Sequence, residues 1–187
     1  MLFPLSIPYD LELRPLTDDD AERMFALITH NRAHLDAWLR WSGRVQTVDD
    51  VSALIQRFTA KQLAGDGFHA GIWFQGQFAG GLVCHFINRE SNKTEIGYWL
   101  GAAYTGKGII TRACRSVITN LFAHEKMHRV EIQCVVENKP SRAVAERLGF
   151  TLEGIKRESD WITSAYRDHC MYALLDREWQ QGSVADH

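Results

Sequence analysis

Gly97-Tyr98-Trp99-Leu100-Gly101-Ala102-Ala103-Tyr104-Thr105-Gly106-Lys107-Gly108-Ile109-Ile110-Thr111 is the stretch on which the reading of this chain turns. An apolar strand closes at Leu100, a short connection follows, and Gly106 and Gly108 bracket Lys107 just before a helical pattern opens. A strand that runs through a glycine-rich turn into a helix makes an anion site. Glycine lets the backbone come close to a ligand, and the unpaired N–H groups of the first helical turn point at it, aided by the helix dipole. Pyrophosphate is the natural guest. The dinucleotide fingerprint needs three glycines at another spacing, and the nucleotide P-loop needs Ser or Thr after its lysine, where this chain has Gly108. Both of those readings fail.

Upstream of this stretch, the pattern predicts a strand over Leu11–Arg14 and a helix capped by Thr17 and Asp20, with Ala21, Met24, Phe25 and Ile28 on its apolar face. A second helix is expected through Leu35, Trp38 and Leu39. A third starts at Thr47 with Asp50 three residues on, and ends at Gly65-Asp66-Gly67. Strands Phe68–Phe74, Phe78–Phe86 and Glu95–Leu100 should form an antiparallel meander, separated by Gln75-Gly76-Gln77 and by the polar loop Asn88–Lys93. Downstream, a helix carries Ile110, Ala113, Val117 and Leu121. Strand Val130–Val136, helix Ser141–Leu148, a strand from Phe150 and a last strand Tyr166–Leu174 complete the order. The expectation is one α/β domain over residues 1–187, a mixed, mostly antiparallel twisted sheet flanked by helices.

Composition narrows the class. With 187 residues, 45% of them hydrophobic, the chain can bury roughly 70% of its unfolded surface. A formal charge of −2 argues against a broad nucleic-acid footprint, which needs clustered Lys and Arg. The start, Met1-Leu2-Phe3-Pro4-Leu5-Ser6-Ile7-Pro8, is apolar but short and broken by prolines, so it reads as neither signal peptide nor membrane span. Cys84, Cys114, Cys134 and Cys170 are widely spaced and read as free thiols in a reducing compartment. A soluble cytoplasmic protein is expected.

A second segment adds to the first: Val135-Val136-Glu137-Asn138-Lys139-Pro140-Ser141-Arg142-Ala143-Val144-Ala145-Glu146-Arg147-Leu148-Gly149-Phe150. It reads as a strand end, a turn, a short helix stopped by glycine, and a new strand. Together the two segments resemble the acyl-CoA-binding core of the GNAT acetyltransferase superfamily. The block His30-Asn31-Arg32-Ala33-His34-Leu35-Asp36-Ala37-Trp38-Leu39-Arg40-Trp41 is similar to the acceptor-side helices of its ribosomal-protein N-terminal acetyltransferases, and the resemblance runs from about Leu11 to Trp179.

That resemblance implies acetyl-CoA as cosubstrate and a protein N-terminal amine as acceptor, or else a small amine, with a homodimer as a family-level expectation. It puts Trp99 and Leu100 on a splayed strand beside the pantetheine arm. The pyrophosphate falls to Gly106, Lys107, Gly108, Ile109, Ile110 and Thr111, the pantetheine amide to Asn138, and Arg142 joins the cofactor side. The acceptor falls to His34, Trp38 and Trp41, the two tryptophans serving equally well as core. Two departures stand out. Ala103 occupies a position where the family often has Gln or Arg, and Ala145 one where many members have a Tyr near the departing thiolate. Ser141, one turn before Ala145, is the replacement acid and equally reads as the N-cap of its helix, two roles that do not exclude each other. The base is Asp160, by resemblance on the acceptor side, or Glu95 acting through water. An α-amine has a pKa of about 8, so a modest base suffices.

His124-Glu125-Lys126-Met127-His128 fits the zinc-protease pattern, which needs both histidines on one helical face and a third ligand. Here a strand should begin at Val130, so His128 falls in a turn, and no metal is expected. A catalytically silent acyl-CoA sensor stays open because of Ala145, and a metalloprotease is the distant alternative.

Overall fold

The computed structural model describes residues 4–8 and 10–184. The first three residues of the apolar start, Tyr9 and the last three residues of the expected domain lie outside the described residues. A single α/β domain is built on an eight-stranded sheet. Its strands are β1 (Leu5–Ile7), β2 (Leu11–Pro15), β3 (Phe68–Phe74), β4 (Gln77–Asn88), β5 (Lys93–Leu100), β6 (Arg129–Val135), β7 (Thr151–Ile162) and β8 (Ala165–Leu175). They lie in the order β1-β2-β3-β4-β5-β6-β8-β7, antiparallel at every junction but β5–β6, which is parallel. The expected meander is there. Its tight turn at Gln75 and Gly76 has φ of 51° and 73°, the paired left-handed geometry that suits the twist of a hairpin.

Helices α1 (Ala21–His30), α2 (Arg32–Asp36) and α3 (Val48–Ala64) cover one face of the sheet. Thr47 and Asp50 form the expected capping box at the start of α3, and Gly65 ends it at φ 75°. Helices α4 (Ile109–Ala123) and α5 (Lys139–Arg147) cover the other face. Ile109, Ala113, Cys114, Val117, Ile118 and Leu121 of α4 are buried at helical spacing against Leu13, Ile72, Leu82, Ile96, Val130 and Ile132 of the sheet. Each of the Ile, Val and Leu side chains in this stripe contributes roughly 1.5–3 kcal/mol on burial, so the stripe rather than helix propensity holds α4 in place.

Several expectations need correction. The second helix stops at Asp36, short of Trp38 and Leu39, which follow in turns closed by Trp38 N–H and Leu39 N–H on the Leu35 carbonyl at 3.0 and 2.9 Å. β1 and a terminal helix α6 (Asp176–Val184) were not anticipated, the first because three residues carry too little pattern to read. α4 ends at Ala123 with His124 as its C-cap, and Lys126 has φ 55°. His124 and His128 therefore share no helical face, and His128 Nδ1 lies 3.2 Å from Asp176 instead. Among the described residues no group of His, Cys, Asp and Glu could hold a metal ion, and no helix is long and apolar enough to cross a membrane.

Candidate active site

The site originates in a fault in the sheet. β5 and β6 pair only over Lys93–Glu95 and Arg129–Glu131, then part. Ile96–Leu100 stays paired to β4 but has no ladder partner on the β6 side. A strand edge with unsatisfied backbone groups is thus exposed inside the sheet, where an extended, amide-bearing ligand can complete the pairing.

A cavity lies on each side of this gap. One, about 510 Å³, is lined by Leu100, Gly106, Gly108, Ile109, Ile110 and Arg147 among others. Gly106 and Gly108 have φ of 73° and 69°, and Gly108 is the N-cap of α4. That left-handed geometry turns the first amides of α4 outward, where they have no intrahelical acceptor. A Cβ on either glycine would meet no atom within 4 Å, so the space above the turn is open to a ligand. This arrangement fits a pyrophosphate bound by backbone amides.

The other cavity, about 500 Å³, holds the proposed acid–base groups: Glu95, Gln133, Cys134, Asp160, His69, His85 and His169 line it with Trp38 and Trp41. Glu95 is half-buried and accepts a 2.7 Å hydrogen bond from Gln133 Nε2. Burial, helped by the Glu131 carboxylate, raises its pKa above the usual carboxylate range. Asp160 is differently placed. A bulge in β7, with Glu158 at φ 50° and its N–H on Asp168 Oδ1 at 2.8 Å, turns Asp160 into the cavity. There it is bound by Arg40 Nη1 at 2.8 Å. His85 stands in a bulge of β4, and a Cβ on Gly97 would lie 2.8 Å from its Nε2, so glycine is what admits the imidazole above β5. His69 is buried, with its Nδ1 unpartnered, and burial pulls its pKa down to about 4.

Tyr98, Trp99, Asn138 and Ser141 line both cavities, and so do Trp38 and Leu39. Asn138 Oδ1 accepts from Ser141 N–H at 3.2 Å and is the N-cap of α5, so Ser141 is not the cap. Ser141 Oγ donates to Tyr98 Oη at 3.2 Å, and the Tyr98 hydroxyl donates to the Ser141 carbonyl at 3.1 Å. Burial raises the Tyr98 pKa far above its normal value, so it stays a hydroxyl. Beside Ser141 lies the Cys134 thiol, pushed up to about 11 by burial.

Not every predicted residue belongs here. His34 lines the α4-side cavity alone, a turn back from the junction that Trp38 reaches. Arg142, one residue round α5 from Ser141, points away and donates to Tyr172 Oη at 3.2 Å and the Val136 carbonyl at 3.3 Å. Thr111 accepts from Arg147 at 2.7 Å, and Lys107 sits over Tyr104 and Phe74, its Nζ 5.8 and 6.0 Å from the ring centroids; neither is among the residues lining these two cavities. Trp41 and Trp99 are edge to face at 5.6 Å, so Trp41 is both core and wall. Sequence reasoning missed Tyr98, Gln133 and Arg147. The signal for Tyr98 was available: period-two alternation puts it with Ile96 and Leu100 on the α4 face, where a hydroxyl needs a partner.

The GNAT acetyltransferase domain model matches residues 10–151. The chain belongs to the GNAT acetyltransferases. Within that family it is 36% identical over 180 residues to YdaF of Bacillus subtilis (strain 168), a provisionally assigned ribosomal N-acetyltransferase; the match covers 96% of this chain and 98% of YdaF. Among solved structures it is similar to RimL, a ribosomal L7/L12 alpha-N-protein acetyltransferase caught as a disulfide between coenzyme A and one of its cysteines. The TM-score is 0.90 and identity 28%, over 92% of this chain and 98% of that one. It is also similar to MccE, a microcin C7 self-immunity acetyltransferase in complex with acetyl-CoA and AMP, with TM-score 0.86 and 28% identity over 93% and 98% of the two chains. The GNAT fold and an N-acetyltransferase activity follow.

Proposed function

We propose that the protein transfers the acetyl group of acetyl-CoA directly to a primary amine, a protein N-terminal α-amine of the ribosomal-protein type. The observation that carries this reading is the pair of cavities meeting at Tyr98, Trp99, Asn138 and Ser141, with an amide-lined turn at one end and Glu95 at the other. Acetyl-CoA brings the activated acyl group. Gly106, Gly108, Ile109 and Ile110 hold its pyrophosphate by backbone amides, with the side chains of Lys107 and Thr111 outside the contact. Leu100 and Trp99 offer backbone pairing to the pantetheine arm, and Asn138 faces it across the gap. Arg142 acts only as a brace.

In the other cavity Glu95 is the base. Its raised pKa brings it closer to the amine's, which favours proton transfer near neutrality, and Gln133 fixes its orientation. Asp160, tied to Arg40, positions the acceptor wall. The Ser141 and Tyr98 hydroxyls stand at the junction, able to bond the sulfur released there; Tyr98 takes the role for which Ala145, fully buried in the core, has no side chain. Backbone N–H groups of β5 on the open side stabilise the developing oxyanion. Proximity of amine and thioester supplies the largest share of the rate.

A small-molecule amine is the second reading, favoured by the likeness to MccE and its bound AMP. Thiol release from acetyl-CoA, measured against N-terminal peptides and a panel of small amines, separates the two. Turnover with polyamines or amino acids and none with peptides would reverse the order, and release with neither would leave only coenzyme A binding.

A further inference from the structure

The acceptor-side cavity carries a charge balance that amine acetylation does not by itself require. Its lining includes the cations Arg40, Arg44, Arg57 and Lys156 but only two carboxylates, Glu95 and Asp160. Arg40 is matched by Asp160 at 2.8 Å. Arg44, Arg57 and Lys156 are exposed and make no ion pair among the described residues, though Arg57 also stands 5.3 Å from the Phe58 ring centroid. They sit on opposing walls, Arg44 and Arg57 on the α2–α3 side and Lys156 on β7. Burial keeps His69 neutral, so the floor adds no charge of its own at neutral pH. The local excess is positive in a chain whose formal net charge is −2.

An α-amine of pKa about 8 arrives largely protonated. A positive cavity repels that cation, and repels a polyamine more, unless the acceptor brings negative charge with it. We infer that the acceptor is an acidic peptide, its N-terminal residue followed closely by Asp or Glu side chains that pair with Arg44, Arg57 and Lys156. This rests on the acetyl-transfer reading and names the acceptor class within it. The same cations favour the neutral amine once it is seated, while Lys156 opposes the rise that burial gives the Glu95 pKa. Charges at an open rim act on encounter and specificity more than on the chemical step, so the preference belongs in KM.

The test uses short peptides with one common N-terminal residue, followed by Asp-Glu, Ala-Ala or Lys-Lys. Their binding to the coenzyme A-loaded protein is measured by calorimetry, and their acetylation by thiol release. The acidic peptide should outrank the basic one about tenfold, equivalent to about 1.4 kcal/mol, in both affinity and kcat/KM, and the gap should shrink with added salt. Arg57→Glu and Lys156→Glu, both at exposed positions, should collapse that ratio towards one. Equal or reversed ranking, no peptide binding, or a preference that survives both reversals overturns the inference. Preferential binding of the acidic peptide without any thiol release would instead sink the transfer reading and leave the acidic preference standing.

Discussion

The two cavities are nearly equal in size, about 510 and about 500 Å³, yet they are built from different materials. The cofactor side is made of backbone: left-handed glycines, the open amides of α4 and the free edge of β5. The acceptor side is made of side chains drawn from β3, β4, β5, β6, β7, β8, α3 and the helical turns around Trp41. Backbone sites recognise what every acyl-CoA has in common. Side-chain sites can be rewritten residue by residue without disturbing the fold, so the cofactor end should respond to conformation and the acceptor end to charge and protonation.

The largest expected effect falls on the acceptor end. Glu95→Gln should lower kcat by about 100-fold, the scale of a general base, while coenzyme A affinity measured by calorimetry stays within twofold, about 0.4 kcal/mol. Because burial raises the Glu95 pKa, the acidic limb of the wild-type pH–rate curve should lie above the usual carboxylate range, and the variant should lack it. A retained limb would assign it to another group.

His69 probes the same end through stability. Its pKa is about 4 when folded, against about 6.5 for an unperturbed histidine. Between those values the unfolded chain takes a proton that the folded chain refuses, so stability is full above the upper value and falls as pH drops toward the lower. By pH 4.5 the loss from this one group should be about 2–3 kcal/mol. Urea unfolding at pH 7 and at that acid pH should show His69→Gln losing less than wild type by about this amount. An equal loss in both proteins would mean that His69 takes up its proton without resistance.

The cofactor end is tested by Gly108→Val. A β-branched residue at φ 69° is strained, and its side chain would occupy the open space above the turn. Coenzyme A affinity should fall about tenfold or more, about 1.4 kcal/mol, in a folded protein. Gly108→Ala should fall less. Unchanged affinity in the valine variant would remove the anion site from Gly106–Ile110.

The same contrast explains what the sequence made legible. A backbone site is contiguous: Gly106, Gly108 and Ile109 are read within one turn, and the meander and α4 follow from alternation and helical spacing. The acceptor site is not contiguous. Gln133 meets Glu95 because two strands 38 residues apart run side by side, and Asp160 reaches the cavity through a bulge that alternation does not encode. Ser141 reads from sequence as a replacement acid and equally as a helix cap, because Ser after Pro140 is a normal start, whereas the observed cap, Asn138, lies on the other side of that proline. Arg142 was assigned to the cofactor by resemblance, but its hydrogen bonds to Tyr172 and Val136 turn it into the fold.

The smallest expected effect is at Asp160, and it discriminates most finely between the two carboxylates. Asp160 is about a quarter exposed and already paired with Arg40, itself more than half exposed. Asp160 is already engaged by the Arg40 guanidinium, whereas Glu95 is withdrawn from water and burial raises its pKa. Asp160→Asn should therefore lower kcat by under about threefold, the scale of one solvent-screened ion pair. It also frees Arg40, adding one more uncompensated cation to the acceptor wall. If that wall reads acidic peptides, KM for the Asp-Glu peptide should fall slightly while KM for the Lys-Lys peptide rises. A loss in kcat of about 100-fold, with Glu95→Gln nearly silent, would exchange the two roles and make Asp160 the base. A small loss with no change in peptide ranking would confine Asp160 to holding the β7 bulge against Arg40.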